Sequence, residues 1–162
     1  MAEDRRYDEA LSRLREMLGG DLDPVAAMAT VSSVLRQVLP HLYWVGFYRV
    51  TGPGVLEVGP YQGTPGCLRI DFGKGVVGTC AARGEPRLVR DVRDEPNHVA
   101  CDPLSRCEVV VPVREQGGGL VAVLDADCTE VGGLDHEDVK GLQAVADLVG
   151  RAFSVSPCSD PL

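Results

Sequence analysis

The segment His98-Val99-Ala100-Cys101-Asp102 holds the residue of this chain best placed for nucleophilic chemistry. It lies within Asp91 to Ser105, a stretch rich in Asp, Pro, Asn and His that shows no periodicity and reads as a loop. A loop of about 15 residues inside a compact domain is more often functional than accidental. A thiol on such a loop meets solvent and small molecules, whereas one in a strand core does not. Cys101 is therefore the candidate nucleophile, with a small buried hydrophobe as the alternative use of a cysteine.

A second set comes from strand alternation. In Leu120-Val121-Ala122-Val123-Leu124-Asp125-Ala126-Asp127 the two aspartates stand two apart and so point to one face, which the period assigns also to Val121 and Val123. A face that turns from apolar to acidic suggests carboxylates at the mouth of a pocket, and Glu108, opening the strand across the hairpin, is placed to join them. Three neighbouring carboxylates repel one another, so at least one has a raised pKa and can donate a proton or receive an ammonium group. The alternative is an ordinary solvated strand end. Trp44 and Tyr48 lie four apart in a strand-like run and face one way while Phe47 faces the other; they either wall a small-ligand pocket or belong to the core.

Metal and nucleotide chemistry are poorly supported. His98, Cys101 and Cys107, with Cys67 or Cys80 as a fourth ligand, match no zinc spacing, and there is no Cys-x2-Cys. No metal is expected. Gly73, Gly75 and Gly78 fit neither a phosphate-binding loop nor a dinucleotide fingerprint, and read as turn and packing glycines.

The elements that must position these residues follow from periodicity and punctuation. Tyr7, Leu11, Leu14 and Leu18 recur at helical spacing until Gly19-Gly20. Asp23 caps a second helix with Pro24 at its first position, and an apolar stripe from Met28 to Leu39 runs up to Pro40. Tyr43 to Val50 and Val55 to Tyr61 flank Thr51-Gly52-Pro53-Gly54 as a hairpin. Cys67 to Ile70 is a short strand, Thr79 to Arg83 a brief helix, and Arg87 to Val89 another strand. Glu108 to Arg114 and Leu120 to Asp127 form a second hairpin, and Asp135 opens the last helix. Hairpin-length connections give antiparallel neighbours, so the fold class is α+β, a mostly antiparallel sheet of about six strands flanked by N-terminal and C-terminal helices.

Composition sets the outer bounds. The 162 residues are one domain's worth, expected over residues 1–153, with a tail from Ser154 expected to fray. Sixteen Lys and Arg against 24 Asp and Glu leave a net charge of −8, so there is no broad basic field for nucleic acid or anionic lipid. No apolar run is long enough to cross a membrane, and the N-terminal run MAEDRRYDEALSRLREML lacks a signal-peptide core, which points to the cytoplasm. The six cysteines in a chain of ordinary apolar content do not read as a secreted disulfide scaffold.

Taken in order, several segments resemble one family: Trp44-Val45-Gly46-Phe47-Tyr48, Gly59-Pro60-Tyr61-Gln62-Gly63, Cys67-Leu68-Arg69-Ile70, Gly73 to Thr79, Asp91-Val92, His98 to Asp102, Ser105 to Val113 and Val123 to Asp127. The set resembles the free methionine-(R)-sulfoxide reductases, stand-alone GAF-domain enzymes, over roughly residues 7 to 153. The resemblance implies a GAF-type fold and oxidative-stress repair of free L-methionine (R)-sulfoxide by a commonly homodimeric protein. It also implies no bound cofactor, with recycling of the thiols by thioredoxin and an NADPH-dependent thioredoxin reductase.

By the same resemblance, the family's Ala-Cys-Asp cysteine falls on Cys101 and its Cys-x-Arg-Ile cysteine on Cys67. The third family cysteine, within Gly-Val-Cys-Gly-Thr, falls on Val77, so that thiol is absent and Cys80 does not stand at its position. The pocket residues fall on Trp44, Tyr48, Glu108, Asp125 and Asp127. The implied chemistry is attack by Cys101 on the sulfoxide sulfur, protonation of the oxygen by Glu108 or Asp127, a Cys101 sulfenic acid, and a Cys67–Cys101 disulfide. A carboxylate paired with the α-ammonium would select the free amino acid over a peptide. The alternative is a non-catalytic GAF module that binds a small ligand and regulates a partner, since fold does not fix function. The physiological reductant, the acid, a resolving role for Cys80, and any role of Cys107, Cys128 and Cys158 stay open at this level.

Overall fold

A computed structural model describes residues 2–154. Cys158 and all of the tail beyond Ser154 lie outside the described residues. Two helices, α1 (Ala2–Met17) and α2 (Pro24–Val38), precede the hairpin β1 (Trp44–Gly52) and β2 (Val55–Gln62). Then come β3 (Arg69–Asp71), α3 (Gly75–Arg83), β4 (Arg87–Val89), a 3-10 turn (Val92–Asp94), the hairpin β5 (Cys107–Arg114) and β6 (Leu120–Cys128), and α4 (His136–Ala152). The α+β class holds: the six strands form one sheet in the order β3-β2-β1-β6-β5-β4, with every pair antiparallel.

The local signals explain the helix ends. The Asp23 carboxylate accepts hydrogen bonds from the backbone N–H groups of Val25 and Ala26, satisfying donors that the first turn of α2 leaves unpaired. Asp135 and Asp138 form a reciprocal capping box at the start of α4.

Strand alternation divides the sheet into two faces. Val45 and Phe47 of β1, Val109 and Val111 of β5, and Leu124 and Ala126 of β6 pack beneath α1, α2 and α4, so all three long helices share one face. Trp44, Tyr48, Val110 and Val123 point the other way, beneath α3 and the loop after β4. The apolar residues between sheet and long helices are almost wholly dehydrated, which is the main driving force for closing the sandwich.

Three boundaries differ from the sequence reading. Cys67 precedes β3, which begins at Arg69 and is held by pairing with Glu57, Leu56 and Val55. The helix expected from Thr79 begins at Gly75, whose φ of +62° turns the chain into it, and so takes up Val76 and Val77. Val121 packs against the helix-side core rather than sharing the face of Val123, because the pairing of β5 with β6 shifts register beside it, between Val113 and Arg114.

Candidate active site

The face covered by α3 and the long loop carries a pocket of about 40 Å3, lined among others by Trp44, Tyr48, Val77, His98, Cys101, Ser105, Glu108, Asp125 and Asp127. That is space for a few waters or a small linear ligand, not for a folded partner. Pairing in the sheet builds its floor. Glu108 on β5 and Trp44 on β1 each stand directly opposite Asp127 on β6, and Gly46 stands opposite Asp125.

The floor is acidic and largely buried. Ligand oxygens of Glu108, Asp125 and Asp127 lie within 4.8 Å of one another. Glu108 and Asp125 are buried and Asp127 is half-buried. Burial first, and the neighbouring charge of Asp127 second, push the Glu108 and Asp125 carboxyls well above the usual carboxylate range. Asp127 is pushed up to about 7, chiefly by burial, against the opposing effect of the hydroxyl that Ser105 donates to it. Asp125 Oδ1 is buried with no hydrogen-bond partner among the described residues. Such a cluster holds protons when empty and accepts a cation, organic or metallic, when one enters. The solvated strand end considered for these residues is therefore not what the structure has.

The aromatic wall rests on two glycines. Trp44 stacks on Tyr48 and on Tyr61, with ring centroids 5.9 and 5.1 Å away. A Cβ on Gly46 would lie 2.2 Å from Tyr61 Cβ, and one on Gly63, whose φ is +136°, would lie 2.6 Å from Trp44 Cδ1. Only glycine lets Tyr61 and Trp44 pack this closely. The indole Nε1 of Trp44 donates to the Thr64 carbonyl at 2.9 Å, fixing the ring plane.

At the rim, Cys101 is joined to Cys67 in a disulfide with the two Cα atoms 5.4 Å apart, inside the range such a bond requires. Both cysteines are part-exposed. Cys101 lines the pocket; Cys67 is tethered to it from the segment before β3 without lining it. Asp102 anchors the loop that carries Cys101, accepting from Thr64 Oγ1 at 2.5 Å, from Tyr43 at 3.1 Å and from the backbone of Leu104 at 2.8 Å. Farther back, Asn97 donates to the Gly73 carbonyl at 2.8 Å, and an Arg87–Glu95 ion pair at 3.2 Å ties the loop to β4.

The seven residues expected at the site thus converge on one pocket and its rim. The metal combination does not assemble: Cys101 is spent in the disulfide, and Cys107 faces the long helices with its thiol on the Leu134 carbonyl at 3.8 Å. Val77 lines the pocket where the third thiol of the resemblance would stand. Cys80 is fully buried in α3 behind it, its thiol pushed up to about 12 chiefly by burial. Tyr43, Thr64 and Ser105 went unnoticed in sequence. Their roles are hydrogen bonds across the chain, which leave no local pattern. His98, weighed in sequence only as a metal ligand, places Nδ1 3.9 Å from Glu108 Oε2. Burial, first, lowers the pKa of the imidazole, as it raises that of the Glu108 carboxyl beside it.

Comparison with known proteins matches this arrangement. The GAF domain family model matches residues 3–153. The free methionine-R-sulfoxide reductase of Escherichia coli is 38% identical over 135 residues, 82% of this chain and 79% of the relative. That of Saccharomyces cerevisiae is 34% identical over 139 residues, 82% of this chain and 77% of the relative. The crystal structure of free methionine-R-sulfoxide reductase from Neisseria meningitidis in complex with its substrate superposes with a TM-score of 0.85 at 37% identity, covering 91% of this chain and 87% of that one. No helix among the described residues is long and apolar enough to cross a membrane. With its antiparallel sheet, acidic pocket and rim disulfide, the chain belongs to the GAF-domain family and, within it, to the free methionine-R-sulfoxide reductases.

Proposed function

We propose that the protein reduces free L-methionine (R)-sulfoxide to methionine, with Cys101 as nucleophile and Cys67 as resolving thiol. The observation that carries the reading is the Cys67–Cys101 disulfide at the rim of a pocket floored by three clustered carboxyls. The Cys101 thiolate attacks the sulfoxide sulfur as a carboxyl, Glu108 or Asp127, protonates the oxygen; the sulfur–oxygen bond then breaks, and the hydroxyl passes to the Cys101 sulfur as the new sulfur–sulfur bond opens. Methionine leaves and Cys101 is a sulfenic acid. The Cys67 thiol displaces that hydroxyl as water, giving the disulfide, so two thiol protons and the substrate oxygen end as one water.

Asp127, pushed up to about 7, carries a proton to donate in part of the population near neutral pH. Asp125, with one oxygen unpartnered, pairs with the α-ammonium of the substrate. The charge of that ammonium offsets the proton that Asp125 must lose, so a peptide nitrogen, which is uncharged, leaves the site unfavourably paired. Trp44 and Tyr48 offer apolar faces to the side chain.

Recycling requires an external dithiol to open the disulfide. Exposed Leu68 beside Cys67, and exposed Val99 and Leu104 flanking Cys101, give such a partner apolar contact. Family resemblance supports thioredoxin, kept reduced by an NADPH-dependent reductase, as that partner, and supports a homodimer acting in the cytoplasm.

A thioredoxin-coupled assay offering the free (R) sulfoxide, its (S) epimer and an N-acetylated form tests the reading. Turnover confined to the free (R) form, lost in Cys101→Ser and limited to one stoichiometric event in Cys67→Ser, is the expected result. Folded, reduced protein that binds methionine sulfoxide without turning it over would instead mark a ligand-sensing GAF module.

A further inference from the structure

On the back of the sheet, away from the pocket, Cys107 of β5 and Cys128 of β6 stand directly opposite one another. Directly opposed residues on antiparallel strands send their side chains to the same face with Cβ atoms about 4.5–5.5 Å apart. Cys107 is 0% exposed and Cys128 3%; the Cys107 thiol donates to the Leu134 carbonyl at 3.8 Å and the Cys128 thiol to the Glu130 carbonyl at 3.2 Å. Cys128 also lines a surface dimple of about 260 Å3, bounded by Arg36, His41, Tyr43, Glu130 and Gly133. The pair therefore has a small opening on one side and the apolar core on the other.

We propose that Cys107 and Cys128 are a second redox-active thiol pair, which a hydroperoxide entering the dimple converts to a disulfide. Cys128, the member that reaches the opening, attacks the distal peroxide oxygen as a thiolate. The oxygen–oxygen bond breaks, an alcohol or water leaves with one proton, and Cys128 becomes a sulfenic acid. The Cys107 thiol then displaces water from it. The two thiols lose two electrons and two protons in all, and the hydroperoxide is reduced to an alcohol, or water, plus one water.

The thiol environments fit this division. The neighbouring Cys107 thiol, first, brings Cys128 down to about 7 against the effect of burial, while Cys128 and burial push the Cys107 thiol up. A disulfide needs Cβ atoms about 3.5–4.5 Å apart, so closure requires the strand ends to approach by about 1 Å. That shift is available where β5 and β6 both end. The inference does not depend on the reductase reading, because neither cysteine touches the pocket.

Trypsin separates the cysteines for the test, placing Cys67, Cys101, Cys107 and Cys128 on peptides 50–69, 94–106, 107–114 and 115–140. Full-length protein is reduced, freed of reductant, treated with stoichiometric hydrogen peroxide, blocked with iodoacetamide in denaturant, and mapped without reduction. The expected product links 107–114 to 115–140, lighter by two hydrogens than the separate peptides, and reverts with dithiothreitol. In Cys107→Ala, dimedone is expected to label Cys128. Peptides 107–114 and 115–140 both recovered alkylated, or Cys128 recovered as sulfinic acid without a link, while 50–69 and 94–106 are joined, would overturn the proposal.

Discussion

Replacing Asp127 by asparagine keeps the shape of the pocket floor and an oxygen to accept the Ser105 hydroxyl, but removes a group that is costly to ionise there. The folded protein holds the Asp127 proton up to about pH 7, whereas the unfolded chain releases it near the ordinary aspartate value of 3.8. Between those values the folded state binds the extra proton, so the wild type loses stability as pH rises and levels off above about 7. Asparagine does not titrate, so the stability gap in its favour opens across the same window. At about 1.4 kcal/mol per pH unit, shared with two coupled neighbours, the gap widens by roughly 2 kcal/mol between about pH 5 and pH 7.5. For a chain of this length that is about 4–8 °C in melting temperature. The assay is circular dichroism melting of ligand-free, oxidised wild type and Asp127→Asn across that range. A gap that stays constant, or narrows as pH rises, would refute a buried, proton-holding Asp127.

Methionine affinity should strengthen as pH rises above the usual carboxylate range, by up to about tenfold per unit, because the ammonium needs an ionised Asp125 and burial holds that carboxyl raised; calorimetry against pH measures the slope. Gly46→Ala pushes a Cβ into Tyr61 and should cost about 1–3 kcal/mol or more. Trp44 is the single tryptophan, so its emission reports the broken Tyr61 stack directly, and unchanged emission would count against the packing argument. Cys80→Ala should keep multiple turnover with an unchanged kcat and lose about 1–2 kcal/mol of stability, since Cys80 is fully buried and behaves as a core hydrophobe. Loss of turnover after the first event would instead make Cys80 the resolving thiol.

Much of the site's framework was legible from residue types alone. Asp23 and Pro24 announce the start of α2, because a capping side chain and a fixed φ act within one turn. The period of two in β6 correctly sends Asp125 and Asp127 to one face, and four residues' spacing puts Trp44 and Tyr48 on one wall. It fails at Val121, where a register shift resets the alternation, and at α3, where a positive-φ glycine starts the helix four residues early.

What the residue order could not supply is distance and dehydration. Cys67 and Cys101 are 34 residues apart, and only the packing of the loop after β4 against the segment before β3 brings their Cα atoms to 5.4 Å. Aspartates two apart share a face in any strand. Whether that face meets water, and so whether the Asp127 proton leaves near pH 4 or stays to about pH 7, depends on the α3 and loop layer that covers it. Local periodicity encodes where a side chain points, because it is a property of a few consecutive dihedrals. Proximity and dielectric belong to contacts between distant segments, and these exist only once the chain has closed on itself.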